Sequence, residues 1–252
     1  ALLLSDVGEL LLRRNRIYST EMNGVDVRAF CVRMPSSEPP STVVASANWL
    51  IGARGLFTQV GGVRSVLVYQ GNDSRTTWVH NTFHAGETDT NGSGARASRL
   101  VGLDDGVLVL VGNALMSAGN PARPQRMEGL RRGGGVAHLV GNAWLAGDLD
   151  FDAYVATPED DYDDLAAIEG CAGWTDGCGA LTRDNFLATP HFVRVGPAGG
   201  IGSRDYRLAD GPLVDAAPDP TAVDYASSGT PPAPGHRGGA FVGGVAFCLS
   251  VV

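Results

Sequence analysis

An all-β solenoid of stacked parallel strands is the fold class this sequence predicts, and three observations carry it. A short apolar stretch centred on asparagine recurs at nearly equal spacing. A second extended segment falls between successive copies. No stretch of useful length repeats at the helical period of 3.6 residues. The clearest copies are "VLVLVGNALM" around Asn113 and "VAHLVGNAWL" around Asn142. Aligning on the asparagine finds "LLLRRNRIYS" around Asn15, "VVASANWLIG" around Asn48, "TTWVHNTFHA" around Asn81 and a weaker "GALTRDNFLA" at Asn185. The intervals are 33, 33, 32, 29 and 43 residues.

Between these copies lie "VDVRAFCV" (25–32), "VRSVLVYQ" (63–70) and "ASRLVGL" (97–103). They are β-branched or alternating and bounded by glycine, as short strands are. One repeat is therefore one turn of backbone carrying two or three strands. The longer last interval holds an acidic, Cys-bearing insertion at 158–178, within which "DDLAAIEG" (163–170) has the length of one or two helical turns.

A single such turn cannot bury its apolar face. Parallel copies stacked about 4.8 Å apart pair every strand with the ones above and below. Parallel crossovers are right-handed, so the expectation is a right-handed single-stranded parallel β-helix of about six coils over 1–211. Val109, Val111, Leu115 and Leu139 are expected to point inward. A leucine-rich repeat, the competing solenoid, has a period of 20–29 residues, shorter than the one here. The recurring asparagines, Asn15, Asn48, Asn81, Asn113 and Asn142, fall at the bend. There asparagine tolerates a left-handed backbone and can hydrogen-bond in a ladder from coil to coil.

The segment 212–252 begins "GPLVDAAPDPTAVDYASSGTPPAPG", the composition of an extended cover and cap over the solenoid. The apolar opening "ALLLSD" carries no cap signal and is expected to have further coils upstream.

Composition narrows the function classes. The net charge is −8, and all 19 basic residues are arginine. An acidic chain without a basic patch argues against nucleic acid, and without lysine there is no Schiff-base chemistry. No apolar run reaches the roughly 20 residues of a membrane span. Cys171 and Cys178 flank "AGWTDG", a loop that a disulfide can close; free thiols and zinc are the weaker readings. Cys31 and Cys248 have no pairing that sequence assigns.

The strands "WVHNTFHAG" and "VLVGNALMSAG", with "DYRLADGPLVDAA" (205–217) and "GHRGGAF" (235–241), resemble those of bacterial secreted β-helix-repeat proteins of the pectin-lyase-like superfamily. The closing motif departs from that pattern in running Gly211 directly into Pro212, without the serine. The resemblance implies a secreted or cell-surface protein whose partner is a polysaccharide. It hosts both enzymes and non-catalytic proteins, so chemistry has to be sought residue by residue.

Asp104 and Asp105 in "LDDG" are paired carboxylates, but no Gly-His-Gly motif or lysine completes a hydrolase. Uronate lyases of this fold use an arginine or lysine base with calcium. Arg13, Arg14, Arg64 and Arg99 are the arginines placed to face outward, and a base would need a pKa far below 12. Asp160, Asp161, Asp163 and Asp164 offer hard oxygen ligands for calcium, the one cofactor the sequence raises, without EF-hand spacing. His80 and His84 are expected at the surface. Tyr154, Tyr162 and Trp174, with Trp78, are candidate stacking platforms for sugar rings. No catalytic constellation can be completed. The expected function is a non-catalytic polysaccharide-binding or scaffold module, and the alternative is the C-terminal part of a polysaccharide lyase or, less favoured, a glycoside hydrolase.

Overall fold

The computed structural model describes residues 2–4, 8–18, 28–52, 55–56, 64–85, 88–89, 98–117, 126–145, 150–171, 173–174, 176–188, 192–194 and 205–208. The whole of the expected cover at 212–252, with the motif at 235–241 and Cys248, lies outside the described residues.

The chain opens with β1 (Leu2–Leu3), β2 (Glu9–Arg13) and β3 (Arg16–Tyr18). The next rung holds β4 (Arg28–Met34), β5 (Thr42–Ser46), β6 (Trp49–Ile51) and the short β7 (Gly55–Leu56). It is followed by β8 (Arg64–Gln70), β9 (Arg75–Val79), β10 (Thr82–His84) and β11 (Thr88–Asp89). Then come β12 (Ser98–Leu103), β13 (Val107–Val111) and β14 (Ala114–Met116), and β15 (Met127–Arg132), β16 (Val136–Val140) and β17 (Ala143–Leu145). After β18 (Ala153–Ala156) the pattern changes to β19 (Asp161–Tyr162), the one-turn helix α1 (Leu165–Ile168) and a 3-10 turn at Glu169–Cys171. The stack resumes with β20 (Phe186–Ala188), and β21 (Phe192–Arg194) pairs antiparallel with β22 (Asp205–Leu208).

Each of the first five rungs contributes one strand to each of three sheets, and the last adds β18 and β20 but only isolated bridges beside β16. Sheet A runs β1-β4-β8-β12-β15-β18-β19, sheet B β16-β13-β9-β5-β2 and sheet C β20-β17-β14-β10-β6-β3. Every neighbouring pair in these sheets is parallel except β18–β19. The fold is therefore all-β, a regular stack of parallel strands compatible with a parallel β-helix.

Three columns of side chains fill the inside. Sheet A gives Val32, Val68, Val101, Leu130 and Val155 in register. Sheet B gives Leu12, Ala45, Trp78, Leu110 and Leu139. Sheet C gives Ile17, Leu50, Phe83, Leu115 and Trp144. All fifteen belong to one buried cluster. Burying each large member is worth about 1.5–3 kcal/mol, and only the stack makes that burial available.

Two sequence expectations are corrected here. Val109 and Val111 do not point into this core: with Val79 and Val140 they form a separate cluster on the opposite face of sheet B. Leu108 and Leu110 take the inward positions. The left-handed residue at the bend is also not the asparagine but the residue before it. Arg14, Ala47, His80 and Asp184 have φ of 55–58°, and Gly112 and Gly141 have φ 57°. Glycine relieves this backbone where it stands, in the two "VGN" copies. We therefore expect Ala47→Gly to raise the unfolding free energy by roughly 0.5–1 kcal/mol, the left-handed penalty outweighing the added chain entropy of glycine. Urea denaturation of the two proteins measures it, and a loss of stability would contradict the reading.

Candidate functional site

The bend residues make a continuous hydrogen-bonded ladder. The backbone N–H and side-chain Nδ2 of each asparagine donate to Oδ1 of the asparagine one rung on. This holds for Asn15 to Asn48, Asn48 to Asn81, Asn81 to Asn113, Asn113 to Asn142 and Asn142 to Asn185. The second Nδ2 hydrogen reaches a backbone carbonyl on the rung before: that of Leu12, Ala45, Trp78, Leu110 or Leu139. For the buried Asn48, Asn81, Asn113 and Asn142, every side-chain donor and acceptor is used in holding neighbouring rungs together.

The last rung would leave Asn185 with unpaired donors. Glu169 answers them: one carboxylate oxygen accepts from both Asn185 N and Nδ2, each at 2.8 Å. A charged acceptor closes the chain of amides. The segment carrying Glu169 is pinned by the Cys171–Cys178 disulfide, by the α1 N-cap, where Asp164 accepts from Ala166 N, and by Trp174, whose indole N–H donates to the Ile168 carbonyl. The insertion thus reads as an end-piece of the ladder.

The densest charged group lies on sheet A. Glu128 on β15 stands in register with Arg99 on β12, and its carboxylate is 3% exposed. Arg99 Nε lies 3.1 Å from it, Arg126 Nε 3.0 Å and Arg131 Nη1 3.7 Å. The 3.0–3.1 Å approaches lie off hydrogen-bond alignment, so the attraction there is coulombic rather than directional. Asp161 on β19 pairs with Arg126 and stands 3.9 Å from Arg131. Three guanidiniums face Glu128 and Asp161, and Asp152 also acts on Arg126, so the group is close to neutral within a chain of net −8. The guanidinium side chains stay 25–38% exposed. Buried Glu128 fixes the inner side of this cluster, and the outer side can meet a carboxylate or sulfate.

This cluster does not supply a lyase base at Arg126. Burial pulls that guanidinium down, but the hydrogen bond to Asp161 and the charges of Glu128, Asp161 and Asp152 outweigh it, and the net direction is up. Proton abstraction needs the opposite direction.

The other sequence candidates are dispersed. Asp104 accepts from the Tyr69 hydroxyl, and Asp105 from Gly106 N, as turn residues do. Arg13 lies on β2 and Arg14 at a bend, while the side chain of Arg64 lies outside the described residues. Asp160 accepts from Asp161 N, Asp161 faces arginines and Asp164 caps α1. Among the described residues, no three His, Cys, Asp or Glu side chains are grouped to hold a metal ion. His80 and His84 are buried, not surface residues.

The aromatic platforms need correcting too. Trp78 and Trp174 are buried in the core, so neither presents a ring face to a sugar. Tyr154 and Tyr162 are half-buried against that core; Tyr154 packs edge-on to Trp144 at 5.3 Å. Burial, then Asp150, Asp164 and Asp163, push the Tyr154 hydroxyl up, so it stays neutral.

His138 on β16 gives a pH prediction. Its Nδ1 accepts from Leu181 N at 3.4 Å, and burial followed by the charge of Arg75 lowers its pKa. The unfolded chain titrates near 6.5, so between that value and the lower folded pKa the unfolded state binds more protons. Stability contributed by His138 is present above about pH 6.5 and is lost as pH falls through this window. The difference in urea midpoint between the native chain and His138→Gln should shrink from pH 7.5 to pH 5. A pH-independent difference would contradict this.

No family model, curated protein or solved structure matches this chain.

Proposed function

We propose that this chain is a right-handed parallel β-helix of the pectin-lyase-like kind, secreted or displayed at the cell surface. In this reading it is a non-catalytic module that binds acidic polysaccharide. The observation that carries the reading is the Arg99–Glu128–Arg131–Arg126 cluster: guanidiniums organised by a buried carboxylate, still partly open to solvent, on the outside of a regular stack. Repeating rungs suit an extended ligand, because a polymer can run along or across the sheet. The disulfide agrees with an oxidising compartment, and among the described residues no helix is long and apolar enough to cross a membrane.

Affinity electrophoresis in polygalacturonate and alginate against neutral dextran tests it. Retardation is expected in the acidic gels alone, weakening with salt. Arg131→Ala is expected to lower affinity about tenfold, as loss of one charge-assisted contact does. Equal mobility in all gels would overturn the reading. Incubation with the same uronates, with and without calcium, separates the lyase alternative, since its unsaturated products absorb near ultraviolet wavelengths and a binding module makes none.

A further inference from the structure

Sheet B ends differently from its neighbours. Sheets A and C continue past β15 and β17 in paired strands, whereas β16 meets only isolated bridges, Ala137 to Cys178 and Val140 to Arg183. Its outer edge is nevertheless satisfied. Ala137 N donates to the Gly177 carbonyl at 2.9 Å, Leu139 N to Thr182 Oγ1 at 3.2 Å and Gly141 N to the Arg183 carbonyl at 2.9 Å. In return the Ala137 carbonyl accepts from Gly179 N and the Leu139 carbonyl from Arg183 N. An uncovered row of such groups is a template for another strand. Residues 177–183 cover it without forming a strand themselves.

Little apolar surface holds this covering strip. Cys178 and Leu181 are only partly buried against the core clusters, and Ala180 and Arg183 are exposed. Gly177 and Gly179 pass so close over Arg132 and His138 that a Cβ on either would collide with those side chains. The ion pair of Arg132 with Asp176, at 3.2 Å, adds little, because the carboxylate is 98% exposed. Covalent attachment takes the place of packing: Cys178 is bonded to Cys171. Beside Cys171, Gly170 N donates to the Thr182 carbonyl at 3.2 Å, and the Glu169 carboxylate receives the Asn185 donors. Gly170 and Cys171 both stand in left-handed backbone, with φ of 61° and 64°. That conformation is unfavourable for cysteine, so Cys171 keeps it only while it is held. Ile168 and Trp174, by contrast, are buried in the core, which anchors the α1 side of the end-piece without the crosslink.

We propose that the Cys171–Cys178 disulfide is a reduction-sensitive latch on the edge of β16. Both cysteines are half-buried, within reach of a small dithiol. One thiolate of the dithiol attacks a sulfur of the pair, the S–S bond breaks and a mixed disulfide forms. The second thiolate then displaces it, leaving both cysteines as thiols and the reductant as a disulfide. Cys171 relaxes out of the left-handed region, Glu169 is no longer aimed at Asn185, and the strip 177–183 lifts from β16. Oxidation restores the last rung. The device is independent of what sheet A binds.

Amide hydrogen exchange of the full chain, resolved by NMR before and after reduction with dithiothreitol, tests it. The N–H groups of Ala137, Leu139, Gly141 and Asn142, which donate into 177–185, are expected to exchange about tenfold faster or more once reduced. Those of Ala47 and His80, which donate to Val79 and Val111 in mid-stack, should not change. Equal protection in both redox states would overturn the proposal, and so would the same acceleration at Ala47 and His80, which would make the disulfide a global staple. The double variant Cys171→Ser with Cys178→Ser should show the open pattern with or without dithiothreitol. A redox response that survives in it would assign the effect to Cys31 or Cys248 and end the proposal.

Discussion

Asn113→Ala is expected to lower the unfolding free energy by about 3–5 kcal/mol, more than any other single substitution in the ladder. The asparagine sits in mid-stack, fully buried, and four hydrogen bonds go with its side chain. Its Oδ1 accepts from Asn81 N and Nδ2, and its Nδ2 donates to the Trp78 carbonyl and Asn142 Oδ1. Alanine leaves the Asn81 donors and the Trp78 carbonyl dry and unpaired, each costing roughly 1–3 kcal/mol before relaxation. Asn113→Asp keeps the acceptor but turns a carboxylate oxygen toward the Trp78 carbonyl, so it is expected to be no better tolerated. Asn15 is the internal control, because it is exposed and its Oδ1 serves no earlier described rung; Asn15→Ala should cost about 1 kcal/mol or less. Urea denaturation of the three variants decides it, and equal costs at positions 15 and 113 would mean the ladder does not hold the bend.

The spacing of 33, 33, 32 and 29 residues that marks the repeat is also the offset across each ladder hydrogen bond, so rung height was legible from one letter. Which residue turns the corner was not. Two copies write glycine before the asparagine, but Arg14, Ala47 and His80 hide the same left-handed backbone behind ordinary side chains. The facing of β13 was equally hidden. "VLVLV" is apolar at both parities, so a period of two cannot choose between Leu108 and Val109.

The charged cluster was within reach of the sequence through register alone. Glu128 stands 29 residues after Arg99 (128 − 99), the same step as Asn113 to Asn142, which places the two side by side. Read singly, Arg99 was one outward arginine among several, Asp161 was one of four aspartates offered to calcium, and Arg126 and Arg131 carried no signal of their own. Glu169 had no counterpart in any other rung. An end-piece closes a repeat by not repeating, so periodicity is blind to it.

Gly129→Ala is expected to cost about 2–4 kcal/mol, the upper range for overpacking a core. Glycine within a strand marks a close approach by another group, and here the approach is the Trp144 ring. A Cβ at 129 would lie 2.2 Å from Trp144 Cζ3 and 2.7 Å from the Tyr154 carbonyl oxygen. Neither obstacle can yield easily. Trp144 is 1% exposed and held edge-on by Phe151 at 5.5 Å and Tyr154 at 5.3 Å, and the carbonyl is backbone of β18. Trp144→Phe shortens the ring at that point and also removes an indole N–H that is buried without a partner. The double variant should therefore be more stable than the sum of the single effects, by roughly 1–2 kcal/mol in a double-mutant cycle. Strict additivity would mean that the ring is not what excludes a methyl group from position 129. Because Gly129 follows Glu128 directly, the single variant should also disturb the arginine cluster. Its affinity for polygalacturonate is expected to fall with its stability and to return in the double variant, linking the packing beneath sheet A to the charged face above it.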